Sequence, residues 1–464
     1  MSRFVPPTVT PPDRPLGVLA SLRAARRNVL EILPAIAFTQ PIVTGTTGPA
    51  RWHMVQSPEG MRRIFLDNAA NYPKSEVMIR MLRPAVGASL FTAEGAQWRW
   101  QRQAIAPVFS ARNVAALAPA MRETAERSAA RIAASEGPVE MVREMLTATF
   151  DVICDVALSG RKHFDADTYG AAITRYFLTV GRASLLDFLR LPPWVPRPAE
   201  LLGAGAVRRM HAMVSRAIAE RRAQGHGRAD DLLDHMLKAR DPETGRQMND
   251  RDLLHNMQFF IVAGHETTAL ALAWSVLLLA HDETVQEKVA HEARAHLGKR
   301  AAGPEDLPHL PQVEAVIDEA MRLYPPVGVL ARDVVAEDTL HDRTLRRGDT
   351  VFLNIWSLHR HRMYWQEPDT FDPGRFAPGA AEGRDRFLHL PFGAGPRICV
   401  GASFAMMQAR IILATLLARY RFIPHGPLPV PVMHMTVRPE PGVTVTAIPR
   451  RGLSQPPGND VPPD

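Results

Sequence analysis

The sequence predicts one large domain that is mainly α-helical and carries small β-sheets. Apolar residues recur at helical spacing through most of the 464-residue chain, whereas strand-like runs are few and short. The 40 prolines fall mostly between the periodic segments, where proline ends helices. Only two cysteines are present, which excludes a disulfide scaffold and a multi-cysteine zinc or iron–sulfur site.

The order of elements follows from these patterns. Helical spacing predicts helices over residues 58–70, 96–106, 111–134, 140–159, 205–224, 250–281, 283–297, 312–323 and 401–419. Strand-like runs cover residues 51–56, 338–346, 349–354 and 441–447. We expect flexible proline-rich tails at residues 1–15 and 451–464. No linker or internal repeat interrupts residues 16–450, which we therefore expect to form one domain.

Charge and apolar stretches limit the partners. The net charge is +7, but Lys and Arg are scattered, so we expect no nucleic-acid partner. The apolar run 259–280 contains His265, Glu266 and Thr267, which are costly in lipid. We therefore expect a buried helix and no transmembrane anchor. Because the N-terminus lacks a secretory signal, we expect a cytoplasmic protein.

Cys399 lies in a glycine- and proline-rich stretch, Pro391 to Gly401, directly before a predicted helix. A helix N-terminus favours a thiolate over a thiol, as a metal-binding cysteine requires. Glycines at 395 and 401 would let the backbone lie close to a flat cofactor. A lone cysteine is more often a buried core residue, so the residue alone does not decide the matter.

The surrounding pattern does decide it. Phe392, Gly395, Arg397, Cys399 and Gly401 resemble the haem-binding loop of the cytochrome P450 family at each defining position. The resemblance implies a prism-shaped, helix-rich single domain with a buried haem b and with Cys399 as the iron ligand. It also implies that Arg397 binds an acidic group at the edge of the cofactor.

Two further stretches resemble family motifs in the expected order. Glu319 and Arg322 match a Glu-x-x-Arg pair, and Arg375 matches the third member of a structural network that supports the cysteine loop. From spacing alone, Glu319 and Arg322 share a helix face and would equally suit a surface ion pair. Trp98 and Arg102 match a Trp-x-x-x-Arg motif whose side chains bind haem propionates, and Arg332 matches another such position less closely.

The predicted helix 250–281 carries the remaining motif. Ala263, Gly264, Glu266 and Thr267 resemble the family pattern for a dioxygen pocket, in which the acid and the alcohol relay protons. A threonine hydroxyl can bond back to the preceding turn and distort a helix locally. From the residues alone, a polar contact between helices would explain the same side chains.

The resemblance implies a monooxygenase that inserts one atom of O2 into a small hydrophobic substrate such as a fatty acid, terpene or steroid. The chain contains no nucleotide-binding fingerprint or iron–sulfur cysteine set. We therefore expect electrons from a separate ferredoxin or flavodoxin with its reductase. We also expect a monomer. Two alternatives stay open: a peroxide-using or rearranging haem-thiolate enzyme, and a non-catalytic haem sensor or carrier.

Overall fold

A computed structural model describes residues 3–47, 50–157, 198–224 and 231–450, together with residues 170, 172, 173 and 176. Helices dominate this part of the chain, so the predicted fold class is confirmed. The helices are α1 Val18–Arg27, α2 Pro58–Arg62, α3 Glu76–Val86, α4 Gly95–Ile105, α5 Ala111–Ala116, α6 Ala118–Ala133, α7 Met141–Ala157, α8 Pro198–Gln224, α9 Leu232–Lys238, α10 Asp250–His281, α11 Glu283–Leu297, α12 Pro311–Leu323, α13 Ile355–Leu358 and α14 Ala402–Arg419.

The strands form small sheets at the edge of the helical body. They are β1 Ile42–Thr47, β2 Ala50–Val55, β3 Val139–Glu140, β4 Leu330–Asp333, β5 Asp338–Leu340, β6 Arg343–Leu345, β7 Thr350–Leu353, β8 Tyr420–Pro424, β9 Val430–Met433, β10 Val437–Glu440 and β11 Thr444–Pro449. The largest sheet has the order β1-β2-β7-β4, with β2 and β7 parallel. Strands β9 and β10 pair antiparallel and make the β9–β10 hairpin, residues 430–440.

Helix α10 forms the centre of the domain. The Asn249 side chain accepts a hydrogen bond from the backbone N–H of Asp252, and the first turn is acidic, which suits the helix dipole. Most side chains from Met257 to Ala280 are buried, and the helix packs against α7. Helices α10 and α14 are both long and apolar enough to cross a membrane, and most of each apolar stretch is buried inside the protein.

The N-terminal segment differs from the flexible tail predicted over residues 1–15, because residues 3–15 pack onto the domain. Phe4 stacks on His281 with ring centroids 5.0 Å apart. The Tyr324 hydroxyl donates to the Pro7 carbonyl at 2.7 Å. Both partners are distant in sequence, so local composition could not reveal them. The tail predicted over residues 451–464 lies outside the described residues.

Most predicted helices form close to their expected ends. The predicted helix 58–70 ends at Arg62 and continues as a wider turn over Arg63–Asp67. The predicted strand 338–346 is the β5–β6 hairpin, which turns at His341 with φ 52°. The last two residues of predicted helix 140–159 lie outside the described residues. The helices and strands that the sequence did not predict are α1, α3, α9, α13, β1, β3, β4, β8, β9 and β10.

A buried ion pair on α12 holds the chain segment that precedes the cysteine loop. Arg322 donates to the two carboxylate oxygens of Glu319 at 2.7 and 2.8 Å, and both side chains are fully buried. Arg375 Nε lies 3.5 Å from the same carboxylate. The Asp372 N–H donates to it at 2.9 Å, and Arg322 also donates to the His359 carbonyl at 2.8 Å. The structure thus brings Glu319, Arg322 and Arg375 together in the core rather than at the surface.

We predict that Glu319→Ala lowers the free energy of unfolding by about 3–5 kcal/mol, because it leaves the buried Arg322 guanidinium without its anion. Urea unfolding measures the change. The matched control is Glu123→Ala, which removes an exposed pair with Arg127 and should change stability by less than about 1 kcal/mol. Equal effects of the two substitutions would contradict the buried network.

Candidate functional site

A cavity of about 300 Å³ lies between α10 and the loop that carries Cys399. Segments from α4, α12, β4 and α14 complete its wall. The wall is mostly apolar and aromatic; its members include Phe91, Phe259, Phe260, Val327, Leu330 and Ile355. Such a concave, largely apolar space with a few polar groups is typical of a cofactor or substrate site.

The cysteine loop, residues 391–401, is shaped by two glycines with positive φ. Gly393 has φ 70° and Gly395 has φ 68°, a region in which other residues are strained. A Cβ at Gly395 would lie 1.8 Å from the carbonyl oxygen of Phe65. The wider turn over Arg63–Asp67 therefore seats the loop, and only glycine fits at this contact. The Cys399 N–H donates to the Phe392 carbonyl at 3.0 Å, which closes the loop.

Cys399 lines the cavity three residues before α14 begins. Its side chain is exposed to this internal space. The surrounding protein nevertheless raises the pKa of the thiol through burial, while the Gly401 N–H and the Arg102 charge lower it by less. The N–H groups at the start of α14 thus act in the expected direction, but in the protein without a cofactor burial outweighs them. A cation bound in the cavity would supply the missing stabilisation.

Arg102 and Arg397 approach the cysteine from α4 and from the loop. Arg102 donates to the Ile398 carbonyl at 3.1 Å. Arg397 bonds to Glu94 and stacks over the Trp98 ring, with its guanidinium carbon 4.4 Å from the ring centroid. Burial lowers the pKa of both arginines. The structure thus brings Trp98 and Arg397 together and already gives Arg397 an anionic partner from the protein.

Arg332 and Lys74 add two cations to the same wall. Arg332 is buried, its Nη1 has no hydrogen-bond partner among the described residues, and burial lowers its pKa to about 10. Lys74 also lines the cavity, and burial together with Arg397 and Arg332 holds its pKa well below the usual range. The sequence analysis missed Lys74, because only its pairing with Arg332 beside β4 places it there.

This donor set fits the haem b that the sequence resemblance implies. Haem b carries two carboxylates, and its iron takes a thiolate ligand. The two carboxylates would bring negative charge beside the arginines of the wall, Arg102, Arg332 and Arg397. The unpartnered Nη1 of Arg332 is the kind of buried donor that such a carboxylate satisfies. Phe392, Gly401 and the apolar wall line the same space as Cys399.

Helix α10 presents Ala263, Gly264 and Thr267 to the cavity. A Cβ at Gly264 would lie 2.9 Å from the Ile153 side chain, so glycine allows α7 to pack closely here. The Thr267 hydroxyl donates to the Ala263 carbonyl at 2.8 Å, as back-bonding predicts. The helix nevertheless runs from Asp250 to His281 without a break, so the expected distortion does not interrupt it.

Glu266, expected to act beside Thr267, does not line the cavity. Its carboxylate is almost fully buried and accepts hydrogen bonds from Arg438 Nε at 2.7 Å and from the Thr436 hydroxyl. Both partners belong to the β9–β10 hairpin. Consecutive residues on a helix point in directions about 100° apart, so one helix turn carries the two polar groups to different surroundings.

Comparison with known proteins identifies the family of the chain. The chain matches the cytochrome P450 family over residues 16–447. It is 29% identical to cyclooctatin synthase of Streptomyces melanosporofaciens, over 97% of this chain and 95% of that protein. It is 30% identical to cyclooctat-9-en-7-ol 5-monooxygenase of the same organism, over 89% and 91% of the two chains. The solved heme domain of cytochrome P450DA has the same fold, with a TM-score of 0.79 at 24% identity over 89% of this chain and 91% of that one.

We predict that Gly395→Ala displaces the cysteine loop, because the new Cβ would collide with the Phe65 backbone. The purified variant should retain less than half of the wild-type ratio of haem absorbance to protein absorbance. Gly348→Ala is the matched control, since Gly348 also has positive φ, 88°, but nothing lies within 4 Å of its Cβ position. A haem ratio that falls equally in both variants would point to backbone strain instead of the collision.

Proposed function

The chain belongs to the cytochrome P450 family, and from this premise we propose that it oxygenates a small hydrophobic substrate with electrons from a separate redox protein. It is a cytochrome P450 monooxygenase that uses haem b. The observation that carries the proposal is the shared cavity: Cys399 lies on one wall and Thr267 on another. A metal-binding thiolate and a hydroxyl thus have access to the same space.

In the proposed site, Cys399 would ligate the iron of the haem. Trp98, Arg102, Arg332 and Arg397 would bind the haem carboxylates, and Lys74 lies in the same wall. The bound haem supplies dioxygen activation in the reaction RH + O2 + 2 electrons + 2 protons → ROH + H2O. The apolar wall excludes bulk water, which strengthens the charge interactions inside.

The protein's own part in this chemistry is to move protons and place the substrate. The Thr267 hydroxyl faces the cavity and can donate a hydrogen bond there when it leaves the Ala263 carbonyl. Glu266 is the nearest acid in sequence, and we propose that it returns the proton to this hydroxyl. A positioned acid that transfers protons contributes about 10²–10⁴-fold to a rate.

The lining residues support a hydrophobic substrate. Phe259, Phe260 and Val327 contribute apolar surface to the cavity, and Thr267 and Thr268 add the hydroxyls of α10. One relative is named for oxidation of cyclooctat-9-en-7-ol. A fatty acid, a terpene and a steroid are all compatible with such a wall.

The proposed electron donor is an acidic ferredoxin or flavodoxin with its reductase. The net charge of +7 favours an acidic partner, since complementary charge increases association rates at low salt. We further propose a cytoplasmic, monomeric enzyme without a membrane anchor.

The test combines binding with oxygen labelling. The haem-loaded protein is screened with neutral terpenes, sterols and fatty acids for a spin-state shift, and compounds that shift it are incubated with NADH, a surrogate ferredoxin and its reductase under ¹⁸O2. We expect the wild-type protein to form a product with one ¹⁸O atom, and we expect Cys399→Ser to form no product. Oxygenation with hydrogen peroxide but not with O2 and NADH would overturn the proposal in favour of a peroxide-using enzyme. Binding without any product would favour a sensor or carrier.

We predict that Thr267→Ala keeps its haem and raises the fraction of NADH electrons recovered as hydrogen peroxide by about 10-fold, because a proton donor is lost. NADH and peroxide assays measure the fraction. Thr147→Ala is the matched control, since Thr147 makes the same hydrogen bond to the residue four positions earlier, at 2.9 Å, but lies outside the cavity. An unchanged peroxide fraction in Thr267→Ala would refute the relay.

A further inference from the structure

Glu266 is held by the β9–β10 hairpin and not by its own helix. Arg438 Nε donates to the Glu266 carboxylate at 2.7 Å, and the Thr436 hydroxyl donates to the same oxygen. The Glu266 side chain is 4% exposed, whereas that of Arg438 is 29% exposed. Arg438 therefore connects a buried carboxylate on α10 with the solvent side of the hairpin.

The carboxylate depends strongly on this contact. A buried charge is costly unless a partner of opposite charge and hydrogen bonds compensate it. Arg438 supplies the charge, and Thr436 supplies a neutral hydrogen bond. No other ion pair to Glu266 is present among the described residues.

The hairpin also contacts the wall of the cavity. The Val437 N–H donates to the carbonyl of Pro326, a lining residue, at 3.1 Å. The Val437 carbonyl accepts from Trp274 Nε1 of α10 at 3.1 Å. A Cβ at Gly328 would lie 2.8 Å from Met433 Sδ, so β9 packs tightly behind the same wall segment. The residues that hold Glu266 are thus fixed to both α10 and the cavity wall.

We propose that Arg438 and Thr436 are positioning residues for proton supply, acting on the reaction through Glu266. They hold the carboxylate in place and link it to the solvent side of the hairpin, from which its protons come. This inference rests on the proposed function, because it requires that Glu266 passes protons to Thr267. The position of the hairpin against Pro326 then determines the position of the Glu266 carboxylate.

The readout follows from the stoichiometry of dioxygen reduction and needs no organic substrate. With two electrons and two protons, O2 gives H2O2; with four electrons and four protons, it gives two H2O. NADH with a surrogate ferredoxin and its reductase supplies the electrons, and solvent supplies the protons. Poorer proton supply therefore raises the fraction of electrons recovered as hydrogen peroxide.

We expect Arg438→Met and Glu266→Gln each to raise the peroxide fraction at least twofold, and the double variant to match Glu266→Gln alone. Two residues that act through one group are not additive in such a cycle. Arg438→Lys and Thr436→Ser should each leave the peroxide fraction close to the wild-type value. Thr436→Val should raise it. Arg421→Met is the matched control, because Arg421 pairs with Glu283 at the surface.

A second readout does not depend on turnover. In thermal unfolding, Arg438→Met should lower Tm by more than the double variant does, because the double variant leaves no unpaired buried carboxylate. Thr436→Val tests the same contact if Arg438→Met does not fold.

An unchanged or lower peroxide fraction in Arg438→Met, or effects that add to those of Glu266→Gln, would overturn the inference. If Glu266→Gln itself leaves the fraction unchanged, the proposed proton role of Glu266 fails instead. The two failures are therefore distinguishable.

Discussion

The buried Glu319–Arg322 pair is the interaction on which the site depends most. Arg322 has no exposed surface, and its donors reach both the Glu319 carboxylate and the His359 carbonyl. The His359 ring in turn accepts the N–H of Leu390, the residue before the cysteine loop. Because each link is buried and directional, a change at the ion pair is transmitted to the backbone that presents Cys399. The pair is thus a structural support for a metal-binding loop, and its value cannot be judged as that of an isolated salt bridge.

The cavity wall places positively charged side chains where burial disfavours their charge. Burial lowers the pKa of Lys74, Arg332 and Arg397, and it raises the pKa of Cys399. Each shift disfavours the charged form of the group. Two carboxylates and an iron centre would reverse these costs together, because they bring the opposite charges into the same space. The charged groups of this wall therefore suit the haem b that the family uses.

Helix α10 directs two adjacent polar side chains into different surroundings. Thr267 faces the cavity and Glu266 faces the β9–β10 hairpin, although the two residues are adjacent in the chain. A buried carboxylate needs a cation beside it. The cavity wall near α10 offers apolar side chains instead. The hairpin solves this by placing Arg438 behind the helix, and the same hairpin contacts the cavity wall at Pro326. The partner of Glu266 and a support of the cavity wall thereby belong to one structural element.

The sequence by itself determined the helical class, the boundaries of α10 and α11, and the residues of the cysteine loop, because periodicity, caps and fixed spacing are local properties. It also grouped Glu319, Arg322 and Arg375 through their resemblance to family motifs. Only the tertiary structure decided that Lys74 joins the cavity, that residues 3–15 pack onto the domain, and that Glu266 points to Arg438. Each of these depends on contacts between segments far apart in the chain, for which spacing carries no signal. The same holds for Cys399: its loop could be recognised from the sequence, whereas the burial that raises the pKa of its thiol comes from the packed fold.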